Sequence, residues 1–268
     1  MKLLLKVFSR LLVIIGVMYI FMCTYLYFNQ ESILFVPRKL AVKHVFKFDR
    51  PYEERFFETP DKIKLNALLF PADSSRGLIF YLHGNAGSLD GWGDIAAMYN
   101  ARGYDLFLFD YRGFGKSGGH ITSESQFFED IRLLYREMKK KYTEDKISVI
   151  GYSIGTGPAA MLAAENEPKQ LILLSPYYSM PDMMHQRYSF VPEFILTYRF
   201  ETYRYLDQLK APVSIFHGRE DQTIYFGSSL KLKKHFKPGD RLFPLESQAH
   251  NGMDNNAQYQ AELDALLP

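Results

Sequence analysis

A lone cysteine, Cys23, among 268 residues excludes a disulfide within the chain, so the fold has to stand on packed apolar surface, and the redox compartment stays open. Charge of one sign is lacking as well. Lys and Arg number 32 against 30 Asp and Glu, a net +2 with the signs interspersed, which leaves no electrostatic footprint for nucleic acid. There is no H-E-x-x-H, no cluster of Cys and His and no calcium-loop pattern, so no metal site is expected. The stretch GFGKSGG lacks the spacing of a phosphate-binding loop, and no dinucleotide fingerprint is present; no cofactor is expected either. Repeats with a period of about 20–50 residues and low-complexity linkers are missing too, which excludes a solenoid or a tethered array.

What is there begins with an apolar run. Leu11 to Gln30 carries no charge, and Leu11 to Phe28 (LLVIIGVMYIFMCTYLYF) is almost wholly apolar. About 20 residues rising 1.5 Å each span a hydrocarbon core of about 30 Å. Tyr19, Tyr25 and Tyr27 lie toward the distal end, where amphipathic rings suit a membrane interface. No small-residue cleavage site follows, and Ile20, Phe21 and Met22 are too bulky for lipoprotein processing at Cys23. Residues 1–30 are therefore expected to be an uncleaved signal anchor, a single transmembrane helix, with residues 31–268 as one domain that needs nothing from it. Lys2, Lys6 and Arg10 lie closer to the run than Arg38, Lys39, Lys43 and Lys47 do. The larger part of the chain is accordingly expected on the non-cytoplasmic side.

With 47 % apolar residues, the remainder can bury a full core. Strands are expected near 44–48, 54–58, 63–70, 77–82, 105–110, 147–151, 170–175, 212–217 and 241–245. Helices are expected near 89–101, 124–141, 154–166, 227–236 and 255–266. Short runs such as LIFYL, DLFLFD, ISVIG, LILLS and VSIF read as strands buried on both faces, hence an α/β fold with a mostly parallel sheet covered by helices. The earliest strands read as an antiparallel hairpin leading into it.

One of these strands runs into GYSIGTGPAA. A strand, a turn with small residues on both sides of a serine, and an Ala-rich helix form the context of a nucleophile elbow. Ser153 sits at its apex, and Gly151 and Gly155 remove the Cβ atoms that would collide there. A serine hydroxyl attacks only when a base takes its proton and a third group orients that base. Asp221 in HGREDQT and His250 in QAHNGM both follow buried strands, at the sheet edge where open α/β folds present their sites. Glu220 is the rival acid, and the H-G-x-x-D spacing favours Asp221. His217 and His235 read as structural or solvated, whereas His185 remains open as a substrate contact. Backbone N–H groups must also receive a developing oxyanion. Ile154, after the serine, is one such donor, and Asn85 in HGNAGS is the other, with His83 structural.

HGNAG, DYRGFGKSGG, GYSIGTGPA, HGREDQT and AHN, in this order, resemble the α/β-hydrolase superfamily. More narrowly they resemble its membrane-anchored Bem46-like group and the alpha/beta hydrolase domain-containing types 13 and 17. The likeness runs from about Glu31 to the C-terminus and includes ESILFVPRKL. It implies Ser153, Asp221 and His250 as the triad, Asn85 and Ile154 as the oxyanion hole, and no chemistry for residues 110–119. Tyr225 departs from the proline that many relatives carry after the acid. Carboxylesterases, lipid hydrolases and protein depalmitoylases all occur among such enzymes, so the likeness leaves the substrate open.

Residues 176–206, rich in Tyr, Phe and Met, read as a short cap. They either pack as part of the fold or, with Met183, Met184 and Phe194, wall an acyl chain. The expectation is a membrane-anchored serine hydrolase of carboxylic esters or thioesters, acting on a small-molecule, acyl or lipid substrate. A serine peptidase or a cofactor-free haloperoxidase-like enzyme would use the same triad. A non-catalytic binding module would normally have lost one of its members.

Overall fold

A computed structural model describes residues 1–268. Eight strands form one sheet: β1 (Glu53–Glu58), β2 (Lys64–Phe70), β3 (Gly77–Leu82), β4 (Tyr104–Phe109), β5 (Ile147–Tyr152), β6 (Gln170–Leu174), β7 (Val213–Gly218) and β8 (Arg241–Leu245). Their spatial order is β8-β7-β6-β5-β3-β4-β2-β1. β1 and β2 form an antiparallel hairpin, β2 meets β4 antiparallel, and every later pairing is parallel. The run LIFYL is buried on both faces because each face has its own cover. Leu78, Phe80 and Leu82 join one apolar cluster, whereas Ile79 and Tyr81 join the other.

Helices cover both faces. Glu124–Lys139 starts where the Ser123 hydroxyl accepts the Gln126 N–H at 3.1 Å, and Ala257–Leu266 starts on the Asn256 side chain in the same way. Thr156–Glu165, rich in Ala, is buried from Thr156 to Ala163, since small side chains let it lie close against the sheet. The helix expected over 89–101 is broken into Leu89–Trp92, a tight turn Gly93–Ile95, and Ala96–Asn100. Residues 44–48 form no strand. Phe46 and Phe48 stack 5.9 Å apart, and Phe48 meets Phe70 edge-on, so aromatic packing has taken the place of a ladder.

At the N-terminus, Lys2–Phe28 is one continuous helix with no buried residue, long and apolar enough to cross a membrane. A short helix, Gln30–Leu34, follows it, and Phe35 enters the core beside Phe127 and Tyr198. Val36–Pro37 then pairs in parallel with Ala86–Gly87. The helix and the segment after it touch the domain. The Tyr19 phenol donates to the Phe190 carbonyl at 2.7 Å, and Gln30 is buried, donating to the Ile195 carbonyl at 2.8 Å and accepting the Thr197 N–H at 2.8 Å.

Arg112 of the DYRGFG stretch, 6 % exposed, forks onto Asp130 at 2.6 and 2.9 Å and onto Asp61 at 2.6 and 2.8 Å. This ties the hairpin turn to the helix Glu124–Lys139. Removing the guanidinium strands the Asp130 carboxylate, itself only 10 % exposed. Arg112→Ala should therefore lower unfolding free energy by about 3 kcal/mol in urea titrations, and adding Asp130→Asn should recover part of the loss.

Candidate active site

Strand register assembles the site. Leu82 pairs with Gly151, so the loops after β3 and β5 leave the sheet side by side. Leu245 pairs with Gly218, which does the same for the loops carrying His250 and Asp221. All four loops leave C-terminal strand ends, where strand order reverses around β3.

Ser153 is 6 % exposed and holds φ at +53°, a left-handed conformation that costs a non-glycine residue about 1–3 kcal/mol. The turn is closed by contacts that only glycine permits. A Cβ on Gly151 would stand 2.6 Å from the Gly155 carbonyl oxygen and 2.7 Å from the Ala159 Cβ, and one on Gly155 would run into the Leu82 carbonyl. The Thr156 hydroxyl donates to the Ser153 carbonyl at 2.7 Å.

The Ser153 hydroxyl lies 3.1 Å from His250 Nε2, and His250 Nδ1 lies 2.7 Å from Asp221 Oδ2. The second Asp221 oxygen accepts the Thr223 and Ile224 N–H groups, both at 2.8 Å. Burial raises the Asp221 carboxyl, but His217, His250 and the Ile224 N–H outweigh it and hold the group well below the usual range. An ionised Asp221 fixes the proton on Nδ1 and leaves Nε2 free to accept from serine. Glu220 is exposed and has no part in this chain. Gly218 lets the two loops touch, since a Cβ there would strike the Gln248 carbonyl, which accepts the Glu220 N–H at 3.1 Å. The Tyr152 phenol donates to the His250 carbonyl at 2.8 Å.

His217, read as structural or solvated, and Tyr177 and Tyr225, to which the sequence assigned no contact, support this arrangement. His217, fully buried, donates from Nε2 to the Ile224 carbonyl at 2.8 Å and lies 3.4 Å from Asp221 Oδ2. Tyr177 donates to the Ile154 carbonyl at 3.0 Å and accepts the Gly157 N–H at 3.1 Å, gripping the elbow from outside. Its one sequence signal was its place just beyond the end of β6. Tyr225, the departure from proline, donates to Asp182 at 2.7 Å. Lys231 pairs with the same carboxylate, so the cap helix Met180–Arg187 is tied to the acid's loop.

A cavity of about 380 Å³ opens over Ser153, with Asn85 and Ile154 on its wall. Met183, Met184, Met180, Val191 and Ile195 line it from the cap. Leu26, Ile33 and Leu34 line it from the N-terminal helices. Phe194, expected on this wall, is instead 85 % exposed and faces outward, because the tight turn Glu193–Ile195 buries its neighbour Ile195. His185 turns to Glu193 at 3.0 Å and is not on the wall, and His235 pairs with Asp207. Phe200 of the cap serves packing and is wholly buried, whereas Tyr177 and Tyr198, buried as well, still contribute to the wall.

Beneath the His83–Ser88 loop lies a neutral pair. His83 Nδ1–H donates to the Gly84 carbonyl at 2.7 Å, leaving a bare, buried Nε2 that is 3.7 Å from Asp110. Burial pushes His83 down to about 4 and Asp110 up to about 8, so neither is charged near neutrality. Asp110 accepts the Leu89 N–H at 3.0 Å, and the Tyr111 phenol donates to the His83 carbonyl at 2.8 Å. The Val36 N–H donates to the Asn85 carbonyl at 2.8 Å. The DYRGFG stretch thus supports the loop without reaching the cavity.

Known proteins resemble the chain in sequence and in fold. A family model described as serine aminopeptidase, S33, matches residues 73–205. Human alpha/beta hydrolase domain-containing protein 17B is 31 % identical over 204 residues, covering 72 % of this chain and 67 % of that protein. Protein 17C of Xenopus tropicalis is also 31 % identical, covering 72 % of this chain and 62 % of its own. The chain thus spans a little under two thirds of that relative's length. Among solved structures, the Pyrococcus furiosus esterase Pf2001 superposes with a TM-score of 0.70 at 19 % identity, covering 87 % of this chain and 96 % of its own. The hydrolase GrgF from Penicillium sp. gives 0.63 at 18 %, covering 81 % and 96 %.

The neutral pair has a signature in stability. A carboxyl raised on folding contributes stability that is lost as pH climbs from its unfolded value near 4 toward about 8. A histidine lowered on folding loses stability in the other direction, as pH falls from about 6.5 toward 4. The two slopes cancel below about pH 6.5, and above it the Asp110 slope stands alone, about 1 kcal/mol per pH unit. Thermal melts should show the parent Tm falling between pH 6.5 and 8 and Asp110→Asn flattening that fall. An unchanged slope would mean that Asp110 is ionised.

Proposed function

Since the chain belongs to the α/β-hydrolase family, in the group of the alpha/beta hydrolase domain-containing proteins, we propose that it is a membrane-anchored serine hydrolase of carboxylic esters or thioesters. The observation that carries this reading is the hydroxyl–imidazole–carboxylate chain from Ser153 through His250 to Asp221, at 3.1 and 2.7 Å. Ser153 Oγ attacks the acyl carbon as Nε2 takes its proton, and Asp221 stabilises the imidazolium through Nδ1–H. The Ile154 and Asn85 N–H groups receive the oxyanion. His250 then returns the proton to the leaving alcohol or thiol, and water, deprotonated by the same nitrogen, releases the acid from Ser153.

The cavity argues for the acyl side of the substrate. Its wall is mostly aliphatic, aromatic and Met, with Arg187 its one charged residue. A peptidase that recognises a free N-terminus needs an acid to pair with the α-ammonium, and no carboxylate lines this cavity. That weighs against the aminopeptidase reading which the matched family's description raises. A haloperoxidase-like reaction on the same triad has no separate observation in its favour. A binding module would have no use for the strain at Ser153.

Residues 1–30 would be the anchor and 31–268 the hydrolase domain, with its cap at about 176–206. The flanking charges favour a non-cytoplasmic domain.

Ser153→Ala and His250→Ala should each abolish nearly all turnover of p-nitrophenyl esters, since the residues act as a unit. Asp221→Asn should cost roughly 10³–10⁴-fold in kcat, while Glu220→Gln should keep near-parent rates. Comparable losses at 220 and 221 would refute the acid assignment.

Catalytic efficiency should climb from acetate to medium-chain esters, by up to about 0.8 kcal/mol or roughly fourfold per buried methylene. Met183→Ala and Met184→Ala should lower long-chain efficiency more than acetate efficiency. A flat chain-length series in the parent would mean that the cavity does not hold the acyl chain.

A further inference from the structure

The outer edge of the cap has a surface that the hydrolytic reading does not use. Tyr188, Phe190 and Phe194 are 54 %, 58 % and 85 % exposed, three aromatic rings within seven residues. Apolar surface gathered in this way marks an interaction site more often than plain solvent exposure. Its position relative to the N-terminal helix indicates the partner. The Tyr19 phenol donates to the Phe190 carbonyl at 2.7 Å. Tyr19 lies nine residues before the helix ends at Phe28, about 13 Å along its axis at 1.5 Å per residue. The cap edge therefore lies beside the anchor helix, well up the apolar run.

The charged side chains at this edge are held by hydrogen bonds or ion pairs. Glu193 lies between His185 at 3.0 Å and Arg199 at 3.6 Å, and Arg187 is spent on the Thr223 carbonyl at 3.0 Å and on that of Gln222. The cavity wall also spans the junction. Leu26 contributes from the anchor helix, and Tyr188 and Val191 contribute from the cap. A cavity whose wall is shared by a membrane-spanning helix and an apolar cap edge beside it adjoins lipid.

We propose that the cap edge Tyr188–Phe194 is a second bilayer contact, and that the cavity takes its acyl chain from the adjoining leaflet through the cleft between this edge and the anchor helix. The proposal rests on the anchored-hydrolase reading and adds the route and the physical state of the substrate, a chain already held in a bilayer. Tyr19 then sets the depth of the cap, and Leu26 belongs to both the anchor and the acyl site. Phe190 and Phe194 lie outside the cavity wall, so their work is insertion.

Two measurements on the full chain in phosphatidylcholine vesicles test this. In the first, Phe194→Trp is compared with the parent, whose one tryptophan is Trp92, in vesicles with brominated acyl tails. Extra quenching in the variant is expected, and its absence overturns the proposal. The second compares the double variant Phe190→Glu/Phe194→Glu with the parent on two substrates. A long-chain ester held in the vesicles should lose roughly tenfold or more in efficiency, and water-soluble p-nitrophenyl butyrate should be nearly unaffected. Equal losses on both, or none on the vesicle substrate, overturn it. Quenching needs no turnover, so a chain lacking Ser153-dependent hydrolysis would fail the functional reading while leaving the insertion itself decided by fluorescence.

Discussion

The left-handed backbone at Ser153, φ +53°, is the constraint on which the rest of the site depends. It turns the chain from β5 straight into the helix Thr156–Glu165 and leaves the hydroxyl standing clear of both. The conformation survives because its surroundings over-determine it. Gly151 and Gly155 allow contacts that any Cβ would break, Thr156 caps the Ser153 carbonyl, and Tyr177 grips the Ile154 carbonyl and the Gly157 N–H. Strain at one residue is thus balanced by close packing and hydrogen bonds around it.

Each of the other loops is braced by a neighbour. The His250 loop rests on Gly218 and on Tyr152, and the Asp221 loop is held by His217 from within and by Asp182 of the cap from outside. The His83–Ser88 loop sits on the neutral His83–Asp110 pair and is strand-paired to Val36–Pro37. Buried polar groups of this kind stabilise only when their partners are in place. A change at one loop is therefore felt at the next, with the distances among Ser153, His250 and Asp221 as the shared outcome.

The N-terminal segment is part of this frame. Between Tyr19 and Arg38 the chain touches the cap edge, lines the cavity, enters the core with Phe35 and pairs with the Asn85 loop. Of these contacts the helix itself makes those at Tyr19 and Leu26, which a helix serving only as an address would not need.

Much of this was legible in the sequence because it is local. Runs buried on both faces announced the parallel sheet, and the turn signals around Ser153, Asp221 and His250 put these residues just past strand ends at its edge, since turns and strand ends are written in neighbouring residues. The failures were cases where tertiary packing or an irregular turn overrode the residue pattern. Residues 44–48 have a strand's composition, but Phe46 and Phe48 found aromatic partners in place of a ladder. Phe194 has the chemistry of a pocket residue, but a tight turn gave the inward position to Ile195. The roles of Tyr177 and Leu26 depend on contacts with residues far along the chain or across the cavity, and that of His217 on how the loop to Ile224 folds back. The sequence by itself determined the fold, the apolar N-terminal helix and the turn that carries Ser153, because periodicity and turn chemistry act over short range. Only the tertiary structure decided which side chains face the cavity and that the N-terminal helix helps to build it, because those outcomes depend on how distant surfaces compete for the same space.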